Sequence, residues 1–187
     1  MGTMVAIGAE GDLLDEHGNP PRTREILVVD SLAAPSAMLC AARSYPPEHA
    51  GRFELPGGKV EPGETPIRAL ARELAEELDL HVTLGAEVRP TPGLAVAAPK
   101  SSSGGGPREF PDDDAPAWPA MHGHRMRVWL AEPADASHGP RRSGAHESLR
   151  WTPWDDLEAL PWLPADLPIL AAVRAAAIPP VQNPTSS

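Results

Sequence analysis

Apolar residues recur at helical spacing in the segment that follows Thr65. Thr65 has the side chain of a typical N-cap, and Pro66 suits the first position of a helix. The spacing predicts a helix from residue 66 to about 78, with one apolar face directed at a core. The residues of that predicted face are Ile67, Leu70, Ala71, Leu74 and Leu78.

Short apolar runs elsewhere in the chain predict strands. These runs cover residues 25–30, 37–43, 53–55, 82–96, 125–131 and 149–152, with a further short candidate at 5–9 and a loop over 11–23. The strands at 25–30 and 37–43 are expected to pair, and 125–131 is expected to alternate in burial. A helical turn is predicted over 154–160 and a last helix over 166–177. This order of elements predicts the α/β class, a sheet with helices on both faces.

Two segments, 99–119 and 132–145, are rich in Pro, Gly and Ser. Such composition predicts mobile surface insertions. For the first segment the alternatives are a lid, an oligomer contact and tolerated disorder. We favour the last of these. The length of 187 residues predicts a single domain, over residues 25–178. A poorly defined extension at 1–24 precedes it, and a frayed tail at 179–187 follows it.

Composition narrows the class of function. A net charge of −10 argues against a partner that is a nucleic acid polymer or a membrane surface. It is compatible with a polyanionic substrate if metal ions offset the meeting charges. The single cysteine, Cys40, lies in an apolar run and is expected to be a buried thiol in a reducing cytoplasm. No signal peptide and no transmembrane run are expected from the sequence.

The predicted helix also has an acidic face, formed by Glu73, Glu76 and Glu77. Spacings of three and four residues place these carboxylates on one side, where they repel by about 0.2–0.5 kcal/mol per pair. A hard divalent cation such as Mg²⁺, which takes oxygen ligands, would account for the arrangement. An ordinary solvated acidic face is the alternative. It does not explain Gly58 and Glu64 upstream. The Gly57–Gly58 pair also allows the backbone to approach a ligand closely.

These residues together resemble the Nudix box, G-x5-E-x7-R-E-U-x-E-E-x-G-U, in which U is apolar. Asp79 stands where the family has glycine, and we expect it to adopt a left-handed conformation at a cost of about 1 kcal/mol. The resemblance implies an α/β/α sandwich around a mixed sheet, over residues 25–175. The matching positions are Gly58, Glu64, Arg72, Glu73, Leu74, Glu76, Glu77 and Leu80.

The resemblance also implies roles for individual residues. Metal ligands are expected to be Glu73, Glu76 and Glu77, joined by the backbone carbonyl of Gly57. Arg72 and Glu64 are expected to orient those carboxylates by ion pairing. The general base is either a carboxylate of the box or one from a later loop. The loop candidates are Glu147 and, more weakly, His146, although both also fit ordinary surface positions.

Several residues outside the acidic face are candidate substrate contacts by the same resemblance. Arg43, at the end of a predicted strand, and Lys59 each fit a nucleotide contact or a solvated cation. Asp166 matches a position at which cytosine-selective relatives carry aspartate, and an ionised carboxylate accepts from an exocyclic amine such as cytosine N4. It equally fits the N-cap of the last helix, and the two roles are compatible. Leu55 is the remaining candidate substrate contact.

The run FELPGGKVEPGE is closest to the MutT-like branch, which implies a nucleoside triphosphate substrate. The leading hypothesis is Mg²⁺-dependent hydrolysis to monophosphate and pyrophosphate, with Mn²⁺ as a possible substitute and a mild preference for CTP or dCTP. The alternatives are an 8-oxo-dGTP-sanitising enzyme and a catalytically inactive binding module. Inactive relatives usually have eroded carboxylates, whereas all are present here. A monomer or a homodimer is expected.

Overall fold

A computed structural model describes residues 22–61, 64–95, 115–120, 125–142, 144 and 146–177. Eight strands, two α-helices and one 3-10 helix occur in these ranges. In chain order they are β1 (Arg22–Val28), β2 (Ala37–Arg43), β3 (Phe53–Glu54), β4 (Gly57–Lys59), α1 (Pro66–Leu78), β5 (Val82–Val88), β6 (Trp118–Pro119), β7 (Arg125–Pro133), β8 (His146–Pro153), the 3-10 helix (Trp154–Ala159) and α2 (Leu167–Ala177).

The strands form two sheets. One is mixed, in the order β4-β1-β7-β5 with β6 added to β7, and β1 runs parallel to β7. The other is antiparallel, in the order β3-β2-β8. The expected ladder between β1 and β2 is therefore wrong. Their link is an isolated antiparallel bridge between Val29 and Met38, because each strand finds its main partners in its own sheet.

Strand β1 separates two hydrophobic cores. Ile26 and Val28 face the core that contains the buried residues of α1. Leu27 and Val29 face the core that contains Ile169 of α2. Successive side chains of a strand point to opposite faces, so the two helices cover opposite sides of the sheet. The α/β/α arrangement expected from the sequence is confirmed.

Helix α1 begins and ends as its sequence predicts. The Thr65 hydroxyl accepts from the backbone N–H of Arg68 at 3.3 Å, with proline in the first turn. Asp79 ends the helix in the left-handed conformation, with φ of 50°. The predicted apolar face is partly wrong, because Ile67 is 53% exposed and Ala71 is exposed. The buried positions are Ala69, Leu70, Leu74 and Leu78.

Other boundaries differ from expectation in ways that burial explains. Trp118 is buried and begins β6, and Ala117 directly before it is also buried, although composition predicts that both end a mobile insertion. Strand β7 is buried on both faces through residue 129, so the predicted alternation is wrong. Strand β1 begins at Arg22, inside the predicted loop, and the strand expected at 5–9 lies outside the described residues.

Two expectations from composition can be compared with the structure directly. Cys40 is buried, as predicted, and burial raises the pKa of its thiol to about 11. In the part of the chain that the structure describes, neither helix is long and apolar enough to span a membrane.

Candidate active site

The turn between β3 and β4 brings the backbone of the glycine pair against α1. A Cβ atom built on Gly58 would lie 2.3 Å from Cδ and Oε1 of Glu73. Any side chain at this position would therefore displace that carboxylate. The turn is held by the mixed sheet, because the backbone N–H of Ile26 donates to the carbonyl of Pro56 at 2.8 Å. The backbone of β1 thus helps to fix the approach of this turn to the acidic helix.

Arg72 lies among the carboxylates that the sequence singled out. Its Nε and Nη2 atoms donate to the two carboxylate oxygens of Glu64 at 3.1 and 3.0 Å. Its Nη1 atom donates to Glu73 at 2.9 Å and to Glu76 at 3.4 Å, while Nη2 also donates to the carbonyl of Lys59 at 3.3 Å. These bonds raise the pKa of Arg72 and lower the pKa of Glu64. The guanidinium therefore positions this end of the site.

Glu77 is less exposed than Glu76. Burial, and then the negative charges of Glu73 and Glu54, raise the pKa of Glu77 to about 7. The positive charge of Arg43 opposes this rise. The charge of Glu77 is thus disfavoured first by burial and then by the neighbouring carboxylates.

The donor set fits a hard divalent cation in its chemistry, since carboxylate and carbonyl oxygens are the ligands that Mg²⁺ takes. Across the described ranges, no three His, Cys, Asp or Glu side chains converge closely enough to hold a metal ion. The position of Arg72 explains this, because it engages Glu73 and the 62% exposed side chain of Glu76. Convergence of the three helix glutamates requires Glu76 to leave Arg72. A bound cation would offset both the burial of the Glu77 charge and its repulsion by Glu73 and Glu54.

Glu54, which the sequence pattern did not single out, lies at the centre of the site. Its Oε2 accepts a hydrogen bond from Nη1 of Arg43, whose Nε donates to the carbonyl of Tyr45 at 2.9 Å. Burial raises the pKa of Glu54, and the charge of Arg43 partly offsets this effect. The available signal was an acidic residue in an otherwise apolar strand directly before Leu55. Arg43 is thus paired at its strand end rather than simply solvated.

His146 also belongs to the site, contrary to its interpretation as a surface loop residue. It is the first residue of β8, is buried, and has its Nε2 atom 3.7 Å from Oε1 of Glu54 and 3.9 Å from Oε2 of Glu77. Burial, and then the charge of Arg43, lower its pKa. The imidazole is therefore held mainly in its neutral form between two carboxylates.

Glu147 and Lys59 lie at the periphery. The side chain of Glu147 is exposed, and its backbone carbonyl accepts from Arg142. Glu147 follows His146 in a strand rather than in the expected loop, so their side chains point to opposite faces. Lys59 ends β4 with an exposed residue surface, and its described contact with the site is made by its carbonyl.

Asp166 lies beside Leu55, where its charge interacts with that of Glu54, and it is only 3% exposed. The backbone N–H of Leu55 donates to its carboxylate, while Oδ2 has no hydrogen-bond partner among the described residues. Burial, and then the charge of Glu54, raise the pKa of Asp166 to about 7. Its carbonyl accepts from the backbone N–H groups of Ile169 and Leu170, so it precedes α2 as predicted. The Leu55 side chain packs in the core and leaves its backbone facing Asp166.

Comparison with known proteins assigns this architecture to a family. A model of the NUDIX domain matches residues 21–173. The chain therefore belongs to the Nudix hydrolase family, and it is an enzyme of that family.

Individual relatives support the assignment. The chain is 36% identical, over 76% of its length and 82% of the relative's, to a Mycobacterium tuberculosis protein named "Putative 8-oxo-dGTP diphosphatase 2". It is 30% identical, over 74% of its length and 82% of the relative's, to the CTP pyrophosphohydrolase of Escherichia coli. The Nudix hydrolase RenU of M. smegmatis has the same fold, with a TM-score of 0.60 at 18% identity, covering 97% of this chain and 100% of RenU.

Proposed function

We propose that this enzyme hydrolyses nucleoside triphosphates to the monophosphate and pyrophosphate, with Mg²⁺ as its cofactor and a mild preference for CTP or dCTP. The observation that carries the proposal is that the charge of Glu54 acts on two separate carboxylate groups. One group lies on α1 beside the glycine turn. The other is the buried carboxylate of Asp166. Such a site would accommodate a metal-bound phosphate chain at one end and a base at the other.

Glu73, Glu76 and Glu77, with the carbonyl of Gly57, are the proposed ligands of Mg²⁺ or Mn²⁺. When bound, the ion would offset phosphate charge and lower the pKa of a bound water. Arg72 orients Glu73 from the side of Glu64, an arrangement that keeps the ligand carboxylate in place.

We favour a carboxylate of the helix as general base over Glu147. The pKa of Glu77 is raised to about 7, which is close to neutral pH. A general base is most effective when its pKa lies near the pH at which the enzyme works. The exposed side chain of Glu147 has no such environment.

We assign base recognition to Asp166. Its Oδ2 atom is buried without a hydrogen-bond partner among the described residues. A buried acceptor without a donor costs about 1–3 kcal/mol, so a donor from the ligand would be favourable there. The N4 amine of cytosine is such a donor. Arg43, which is half-buried at the end of β2, is the proposed cationic contact to the nucleotide.

A second candidate substrate is 8-oxo-dGTP. The name of the relative with 36% identity supports it, whereas the name of the relative with 30% identity supports CTP. A purified-protein assay with Mg²⁺ separates the two by measuring pyrophosphate and phosphate release from CTP, dCTP, 8-oxo-dGTP and ADP-ribose. Release of pyrophosphate from CTP or dCTP is expected. Turnover of 8-oxo-dGTP with inert cytosine nucleotides would overturn the base assignment, and no turnover on the whole panel would favour a binding module.

The proposed setting is the cytoplasm, which the single buried thiol of Cys40 suits. The partner is the nucleotide itself, and the active unit is proposed to be a monomer or a homodimer. Sedimentation of the purified protein with and without nucleotide would test this assembly.

A further inference from the structure

Glu54 lies within the site, but none of the roles proposed above for metal binding, base catalysis or base recognition involves it. Its side chain is only 18% exposed. It contacts Arg43 through one carboxylate oxygen and lies 3.7 Å from His146 through the other. Its negative charge acts on Glu77 and on Asp166, so it lies electrostatically between the proposed metal end and the proposed base end.

The backbone around Glu54 is fixed from both sides. On one side β3 pairs with β2, where Ala41 is opposite Glu54. On the other side the N–H of Phe53 donates to the carbonyl of Pro161 at 2.9 Å. The carbonyl of Phe53 accepts from the N–H of Leu163, also at 2.9 Å. A short strand held along both edges gives its side chains little positional freedom. Glu54 is thus a rigid point from which neighbouring side chains are oriented.

We propose that Glu54 is a positioning residue for nucleotide binding, which holds the Arg43 guanidinium in place for the substrate and the His146 ring beside Glu77. This inference rests on the proposed function. Arg43 is tied at two points, by Glu54 and by the Tyr45 carbonyl. Without Glu54 one of the two ties is lost, and a flexible arginine pays more side-chain entropy when it contacts a ligand.

The melting temperature of a Glu54 variant separates a positioning role from a purely structural role. Burial disfavours the Glu54 charge, and Arg43 offsets this only in part, as the raised pKa of Glu54 indicates. Neutralising Glu54 at constant shape removes that charge and reduces repulsion with Glu77 and Asp166. The melting temperature of the variant should therefore not fall. If Glu54 mattered only for folding, its neutralisation would lower the melting temperature and leave KM unchanged.

The test is Glu54→Gln in the full chain, assayed with CTP and Mg²⁺. We expect KM to rise by about tenfold, which corresponds to about 1.4 kcal/mol, with a smaller change in kcat. The matched control is Glu158→Gln, which also removes an acid paired with an arginine but at an exposed position. The control should leave both constants unchanged.

A double-mutant cycle with Arg43→Gln tests whether Glu54 acts through Arg43. We expect Glu54→Gln to raise KM much less in the Arg43→Gln background than alone. Additive effects, or a KM for Glu54→Gln within about twofold of the wild type, would overturn the inference. Absence of turnover by the wild type on every nucleotide would instead defeat the proposed function, so the two failures are distinguishable.

Discussion

Substitution of Glu77 by glutamine should stabilise the metal-free protein while abolishing its activity. The glutamine keeps nearly the same shape and removes the charge that burial, Glu73 and Glu54 disfavour. Loss of a proposed metal ligand should at the same time remove turnover. The combination is unusual, because most substitutions at buried positions lower stability.

The pKa of Glu77 gives the size and the sign of the effect. Its rise from 4.5 to about 7 corresponds to about 3 kcal/mol, since one pKa unit is about 1.4 kcal/mol. Because the pKa in the folded state lies above that in the unfolded state, the folded protein binds the proton more tightly. The stabilising contribution is complete below pH 4.5 and is lost as the pH rises through about 7. The wild type therefore carries the full unfavourable free energy at higher pH.

The assay is thermal unfolding of both proteins in EDTA, at about pH 5 and about pH 8. At the higher pH the variant should melt roughly 6–12 °C above the wild type, and near the lower pH the difference should nearly vanish. Added Mg²⁺ should stabilise the wild type at the higher pH and have little effect on the variant, because binding to the folded state alone raises stability. Equal melting temperatures at both pH values would refute the reasoning about crowded carboxylates.

Three further substitutions test other parts of the site. Gly58→Ala should lower kcat by roughly a hundredfold, because the new methyl group displaces the Glu73 carboxylate; Gly93→Ala, where a methyl group meets no atom within 4 Å, is the control. Asp79→Gly should raise the free energy of unfolding by about 1 kcal/mol in denaturant titrations, with unchanged activity, because glycine adopts the left-handed conformation at less cost. Asp166→Asn should lower kcat/KM for CTP by about tenfold or more and increase relative turnover of 8-oxo-dGTP, and an unaltered preference would contradict base recognition.

The acidic helix could be predicted in detail because its signals are local. Thr65, the proline after it and Asp79 determine where α1 begins and ends, and each acts within one turn of the helix. The error at Ile67 and Ala71 arises because helical spacing gives the direction of a face but not the extent of the surface that packs on it. The width of the buried face depends on β1 and β7, which are distant in sequence.

The centre of the site could not be predicted, because it depends on long-range pairing. Glu54 and Arg43 meet because β2 pairs with β3, and His146 joins them because β8 pairs with the other edge of β2. No local pattern encodes these pairings. The expected partnership of β1 with β2 was wrong for the same reason, since apolar runs predict strands but not their neighbours.

A crystal structure with Mg²⁺ and a non-hydrolysable CTP analogue would test the central claim most directly. The account predicts an ion bound by Glu73, Glu76, Glu77 and the Gly57 carbonyl, in contact with the phosphate chain, with Glu76 moved away from Arg72. An ion and phosphates bound elsewhere, with Glu76 still paired with Arg72, would contradict it.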